Sequence, residues 1–152
     1  MNYLQSAGAG LAGASALTLL HETVRQFNPD APRMDLLGMR TIDKYLRKAD
    51  IQPPRGKPLH TAAMVGDILS NTLYYSLAGA GKKDTLWLRA AGLGLAAGIG
   101  AIVLPGPMGI GDAPSSRTPQ TKAMTIAWYL AGGLATAAVL HWLTKSTKPS
   151  SY

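Results

Sequence analysis

The chain has 152 residues, enough for one domain, yet only 15% are charged, whereas a soluble domain carries about a quarter. It contains no cysteine, which excludes disulfides, thiolate metal sites and cysteine nucleophiles. The net charge of +7 does not point to nucleic acid: eight of the 15 basic residues lie between Arg25 and Lys57, between two apolar blocks, where anionic lipid headgroups explain them better.

A mean hydropathy of +0.07 is low for a membrane protein, so the distribution of charge carries the reading. Residues 90–111 and 123–144 form two runs of 22 residues without a formal charge, the second holding only the neutral His141. A helix crossing a bilayer core needs about 20 such residues. The expected fold is all-α: a single membrane domain over 1–152, with four transmembrane helices and a basic amphipathic helix on the surface between the first and second.

The first span is predicted over residues 3–24. It opens on MNYLQ, which lacks the basic region of a cleavable signal, so this helix is expected to be kept. Alanine and glycine give it little transfer energy. Its pairs Ala9/Gly13 and Gly10/Ala14 offer a close-packing face instead. Asn28-Pro29 and Ala31-Pro32 end it. Over residues 36–49, Leu36, Met39, Ile42, Leu46 and Ala49 recur at helical spacing, with Arg40, Lys44, Arg47 and Lys48 largely elsewhere around the helix. This pattern predicts an interfacial helix whose four cations touch lipid headgroups; a solvated connector helix is the competing reading. Gln52-Pro53-Pro54 stops it.

The second span is predicted over 59–80 and the third over 85–104, joined by a short Gly/Lys turn that makes them antiparallel neighbours. Trp87 is expected to anchor at the interface and Arg89 to snorkel. Gly94 and Gly98 form a GxxxG pair that signals tight helix packing and, more weakly, homodimerisation. Residues 105–120, with four prolines and three glycines, exclude a regular helix and suit either an ordered lid or a mobile loop. The fourth span is predicted over 121–144, and the polar tail KSTKPSSY is expected to be loose.

Ten basic residues fall on the side of the two long loops and five on the other. The positive-inside rule then places the long loops in the cytoplasm and both termini outside, in a membrane of the bacterial inner-membrane type. Without the eight basic residues from Arg25 to Lys57 the count reverses to two against five, so orientation rests on that segment.

Charged groups within spans are costly unless paired, which makes them the first place to look for function. His60, Met64, Asp67, Asn71 and Tyr74 form one stripe on the second span; Thr18, Glu22 and Arg25, with His21 adjacent, form another on the first. A buried polar cluster of His21, Glu22, Arg25, His60, Asp67 and Asn71 is therefore expected. Its plainest role is structural pairing. The sharper one is a proton or ion relay through Asp67 and His60.

No catalytic set is complete. His21-Glu22 lacks the second histidine of HExxH, because the fifth position is Arg25, so no metal site is assigned. PGPMGIGD lacks both the preceding strand and the GK[ST] ending of a phosphate loop, and Ser115 and Ser116 have no spaced His and acid. His141 could serve as an axial ligand to a haem or pigment, although a lone His beside Trp142 is commonly an interface residue; no cofactor is assigned. The function expected is that of an accessory or assembly subunit of a larger membrane complex, with membrane lipids and other membrane subunits as partners. The alternative is a small ion-coupled transporter or membrane enzyme using Asp67, His60, Glu22 and Arg25. A soluble helical protein is a third reading, which carbonate-resistant membrane association would exclude.

Overall fold

A computed structural model describes residues 1–146; residues 147–152, with most of the tail expected to be loose, lie outside the described residues. The chain is helical, with no strand among the described residues. Its helices are α1 (Tyr3–Val24), α2 (Met34–Lys48), α3 (Lys57–Ser76), α4 (Leu86–Val103), α5 (Ala113–Ser116) and α6 (Pro119–Ser146).

Local chemistry sets the ends of these helices. Asn2 caps α1 by accepting the Gln5 amide at 2.8 Å, and the Gln5 side chain accepts the Asn2 amide in return at 3.2 Å. Gly56, at φ +64°, turns the chain into α3, whose first turn contains Pro58. The second span ends in a separate tight turn of 3₁₀ helix, Leu77–Gly79, and a matching turn, Lys83–Thr85, leads into α4. Arg89 closes this junction. Its guanidinium donates to the Ala78 carbonyl at 2.9 and 2.7 Å and to Lys82 O, so it satisfies carbonyls at the end of the second span in place of the expected reach towards headgroups.

The four long helices do not form a square. α1 lies along both α3 and α6, and α6 lies along both α1 and α4, whereas α3 and α4 touch little. Neighbours run antiparallel, so the chain ends Met1 and Ser146 share one end of the bundle, and α2, α5 and the long loops share the other. Glycine makes the closest approaches. A Cβ on Gly94 would sit 2.7 Å from Tyr129 O and 2.8 Å from Leu130 Cα, and one on Gly98 would sit 2.8 Å from Ile126 Cα. The GxxxG pair is thus occupied by α6 of the same chain, which removes it from the homodimerisation role its spacing suggested. Gly10 meets α3 at Thr72 and Ser76, and Gly13 meets α6 at Gly132 and Thr136.

The loop over 105–118 is ordered and tied to the 25–56 segment. Arg33 N donates to Pro114 O at 2.8 Å, Thr121 Oγ1 to Asp30 O at 2.7 Å, and Arg117 Nη2 to Pro29 O and Ala31 O. Ser115 Oγ reaches Ala101 O at 2.6 Å, and Thr125 Oγ1 reaches Ser115 O at 2.8 Å. Two connections far apart in sequence thereby form one cap over the bundle.

Two segments are long and apolar enough to cross a membrane, Lys83–Val103 and Pro119–Ser146, and only 22% and 39% of their apolar windows are buried inside the bundle. α1 and α3 have the length, at 22 and 20 residues, but not the hydropathy. Twelve of the 22 residues of α1 are Gly, Ala, Ser or Thr, and α3 carries His60, Asp67, Ser70 and Asn71. Of the four spans expected, two are supported by length and composition.

Candidate functional site: a polar clasp between α1, α2 and α3

The last turns of α1, the start of α2 and the middle of α3 converge beneath the cap. Asp35 is the centre of this junction. It is only 6% exposed and takes Arg33 in a two-pronged contact, Nε to Oδ1 at 2.9 Å and Nη2 to Oδ2 at 2.8 Å, with Arg25 Nη1 at 3.5 Å. Burial pushes the Asp35 carboxyl up, but the Arg33 hydrogen bonds and the charges of Arg33 and Arg25 outweigh it and hold it below the usual carboxylate range. Arg25 turns its other nitrogen to Glu22 Oε2 at 2.6 Å. One guanidinium therefore links a carboxylate of α1 to a carboxylate of α2.

Deeper in the bundle Asp67 is held by neutral groups. Asn71 Nδ2 donates to its Oδ1 at 3.0 Å, and Thr18 Oγ1 donates to Oδ2 at 3.4 Å, joining α1 to α3. His21, 4% exposed, stands edge-on to the Tyr129 ring of α6 with centroids 5.9 Å apart, and its Nε2 has no protein partner among the described residues. Thr18, His21, Glu22, Asp35, Met64 and Asp67 enclose a cavity of about 10 Å³. That is room for about one water molecule and for nothing larger. Two further bonds lock α3 in place: Tyr75 Oη donates to Tyr129 O at 2.7 Å, and Tyr74 Oη donates to Leu93 O at 2.9 Å.

Of the cluster expected from sequence, His21, Glu22, Arg25, Asp67 and Asn71 meet here. His60 does not; it is half-buried near the start of α3, outside the cavity lining and without a side-chain bond to the cluster among the described residues. Its place is taken by Asp35 with Arg33, which sequence reasoning missed. Their only signal was an Arg-x-Asp spacing just after Pro32, and only the folding back of 25–33 gives that spacing its meaning. Among the described residues no three His, Asp or Glu side chains are grouped as metal ligands, so the set His21, Glu22, His60 and Asp67 is not assembled.

The cations assigned to headgroups lie on the exposed side of α2. Arg40 donates to Ile110 O at 3.3 Å and Lys44 to Met108 O; Arg47 pairs with Asp43 at 2.9 Å, and Lys48 is exposed. At the opposite end, His141 is exposed on α6 and tilted against Trp87 at 6.4 Å, so its ring lies outside the bundle interior where a haem would be held. Ser115 and Ser116 hydroxyls donate to backbone carbonyls. The geometry as a whole is that of a clasp: Glu22, Arg25, Arg33 and Asp35 pair their charges, and Asp67 is held by neutral groups, around a cavity with room for about one water molecule. No family model matches this chain, and neither a curated protein nor a solved structure matches it.

Proposed function

We propose that this chain is a four-helix integral membrane protein acting as an accessory or assembly subunit of a larger membrane complex, with its polar cluster serving to fix α1, α2 and α3 relative to one another. The observation that carries the reading is the distribution of side chains between inside and outside. The interior faces of α1 and α6 are built largely from small and hydroxylated residues, among them Ser6, Ala9, Gly10, Gly13, Thr125, Gly132, Gly133 and Thr136 beside Leu17, Tyr129 and Leu140, while many large aliphatic residues point outwards: Leu88 is 77% exposed, Leu73 71% and Leu19 66%. A protein in water buries such residues; one in lipid has no reason to, and packs its helices through small and hydroxylated ones. α1 and α3 are marginal as independent spans, and the clasp supports them by pairing Glu22 with Arg25 and by hydrogen-bonding Asp67 to Thr18 and Asn71. The small size of the cavity, about 10 Å³, favours this structural role over transport.

Gentle detergent extraction followed by native electrophoresis tests the assignment. The chain should migrate in an assembly much larger than its 15.9 kDa. Migration as a free monomer or small homo-oligomer would overturn the subunit reading and favour the transporter or enzyme. For topology, tags on both termini should be cut by protease added outside intact cells, with the capped end cytoplasmic; protected termini would reverse the orientation.

A further inference from the structure

Beside the clasp, α2 and the loop after α4 frame an open depression of about 450 Å³, lined by Arg40, Asp43, Lys44, Arg47, Gly109 and Ile110. Three cations and one carboxylate give its wall a net charge of +2. These cations are ordered, unlike those of a bare solvated helix. Arg40 and Lys44 reach across to carbonyls of the loop, and the loop is itself folded by bonds from Met108 N to Leu104 O, Gly109 N to Gly106 O and Ile110 N to Pro105 O.

Glycine is required for this fit. Gly109 and Gly111 have φ of +67° and +76°, and a Cβ on them would stand 2.5 Å from Lys44 Nζ and 3.0 Å from Arg40 Nη1. The partners of Arg40 and Lys44 are neutral carbonyls, which leave both charges uncompensated. Only Arg47 is paired, with Asp43. A guanidinium and an ammonium already fixed in position, with donors to spare, match a phosphate. In the adjoining stretch of chain, the end of α4 and the start of the loop, Ile99, Val103, Leu104 and Met108 are exposed and apolar, and the Met108 carbonyl is the one that accepts Lys44.

We infer that this depression seats the phosphate headgroup of an anionic phospholipid, with Arg40, Lys44 and Arg47 holding the phosphate and the acyl chains lying against Ile99, Val103 and Leu104. The inference rests on the membrane reading above and adds a specific lipid site to it. The bonds that tie Arg40 and Lys44 to Ile110 O and Met108 O, close in the chain to exposed Val103 and Leu104, favour a lipid over a free phosphate ion, which would use the wall alone.

The test is native mass spectrometry of the full-length protein in mild detergent, titrated with phosphatidylglycerol, with phosphatidylcholine of the same chains, and with inorganic phosphate. Phosphatidylglycerol should be retained preferentially, and each cation removed should cost about fivefold in that preference. Lys44→Gln also breaks a bond to the loop, so Arg47→Gln, whose bond is to Asp43 alone, guards against a folding artefact. Lys82→Gln with Lys83→Gln, at the opposite end, should leave the preference unchanged. Equal retention of the two lipids, an equal loss from the distant lysine pair, or inorganic phosphate competing as well as the lipid would overturn the site. A chain that resists carbonate extraction but shows no preference loses the lipid seat and keeps the membrane reading; one released by carbonate loses the membrane reading itself.

Discussion

The pair α4–α6 and the pair α1–α3 are joined by different kinds of force. Between α4 and α6 the backbones touch: Gly94 and Gly98 lie against residues 126–130, and Gly133 lies against Ala90 O. Dispersion between closely spaced main chains holds this half, and it needs no charge. Between α1 and α3 the close approach at Gly10 is confined to the end away from the cap. Towards the cap the two helices are joined by Thr18 to Asp67 and, through Arg25 and Asp35, by way of α2. The helices of the apolar half are long and apolar enough to cross a membrane, whereas those of the polar half are not and depend on partners from another segment. A span can therefore be weak in isolation and secure in its fold.

Substitutions should separate the two halves by size, by pH and by position. The largest effect is expected from Gly133→Leu, which forces a side chain into the α4–α6 backbone contact and should cost about 3 kcal/mol in a detergent melt, equally at neutral and acid pH. A tolerated leucine there would show that the half is not held by backbone contact.

Asp35→Asn comes next. Buried pairs broken on one side lose about 3–5 kcal/mol, but Arg25 and Arg33 keep 26% and 36% of their side chains in solvent, so about 2 kcal/mol is expected. This loss should depend on pH. Because the folded Asp35 carboxyl titrates below its ordinary value of about 3.9, its contribution is full above that value and vanishes as pH falls through the lower folded one. The gap between the melting curves of wild type and variant should be full at pH 7 and shrink as pH falls below the ordinary carboxylate value; a constant gap would mean that Asp35 acts by shape and not by charge.

Tyr75→Phe removes the bond from α3 to Tyr129 O and should cost about 1 kcal/mol. The smallest effect is expected at Gly92, two residues from Gly94 but facing open space. Gly92→Leu should shift stability by less than about 0.5 kcal/mol. A severe effect there would reveal a partner helix seated on the outer face of α4, and would itself support the subunit assignment.

The sequence made the apolar half legible because its signals are local. Charge-free length locates α4 and α6, and Gly94 with Gly98 marks the contact face, though not which helix meets it. α2 falls within two residues of its expected bounds, since its apolar period and flanking prolines are also local. The polar half was legible only in part. The stripes on α1 and α3 named His21, Glu22, Arg25, Asp67 and Asn71, but a stripe gives direction around a helix and not depth or partner, so His60 was included and Asp35 left out. Of the cap, an ordered lid was one of two readings of residues 105–120, but its partners were not legible. Its bonds run from Arg33 N, Arg40, Lys44, Arg117 and Thr121 to main-chain carbonyls, which every residue possesses and no sequence pattern advertises.

One feature of the layout bears on how the molecule is assembled. Because α6 lies along both α1 and α4 and provides most of the contact between those two halves, the earlier helices emerge from the ribosome before the surface that unites them exists. Until α6 arrives, Gly13 of α1 and Gly94 and Gly98 of α4 lack their main neighbour, and α4 is tied to the earlier helices chiefly through Arg89 to Ala78 O and Tyr74 to Leu93 O. On the membrane reading proposed above, completion of the last helix is then the event that joins the two halves into one fold. Ribosome-stalled chains ending before Thr121 should accordingly be degraded quickly, whereas chains extended past Leu140 should become protease-resistant in a single step.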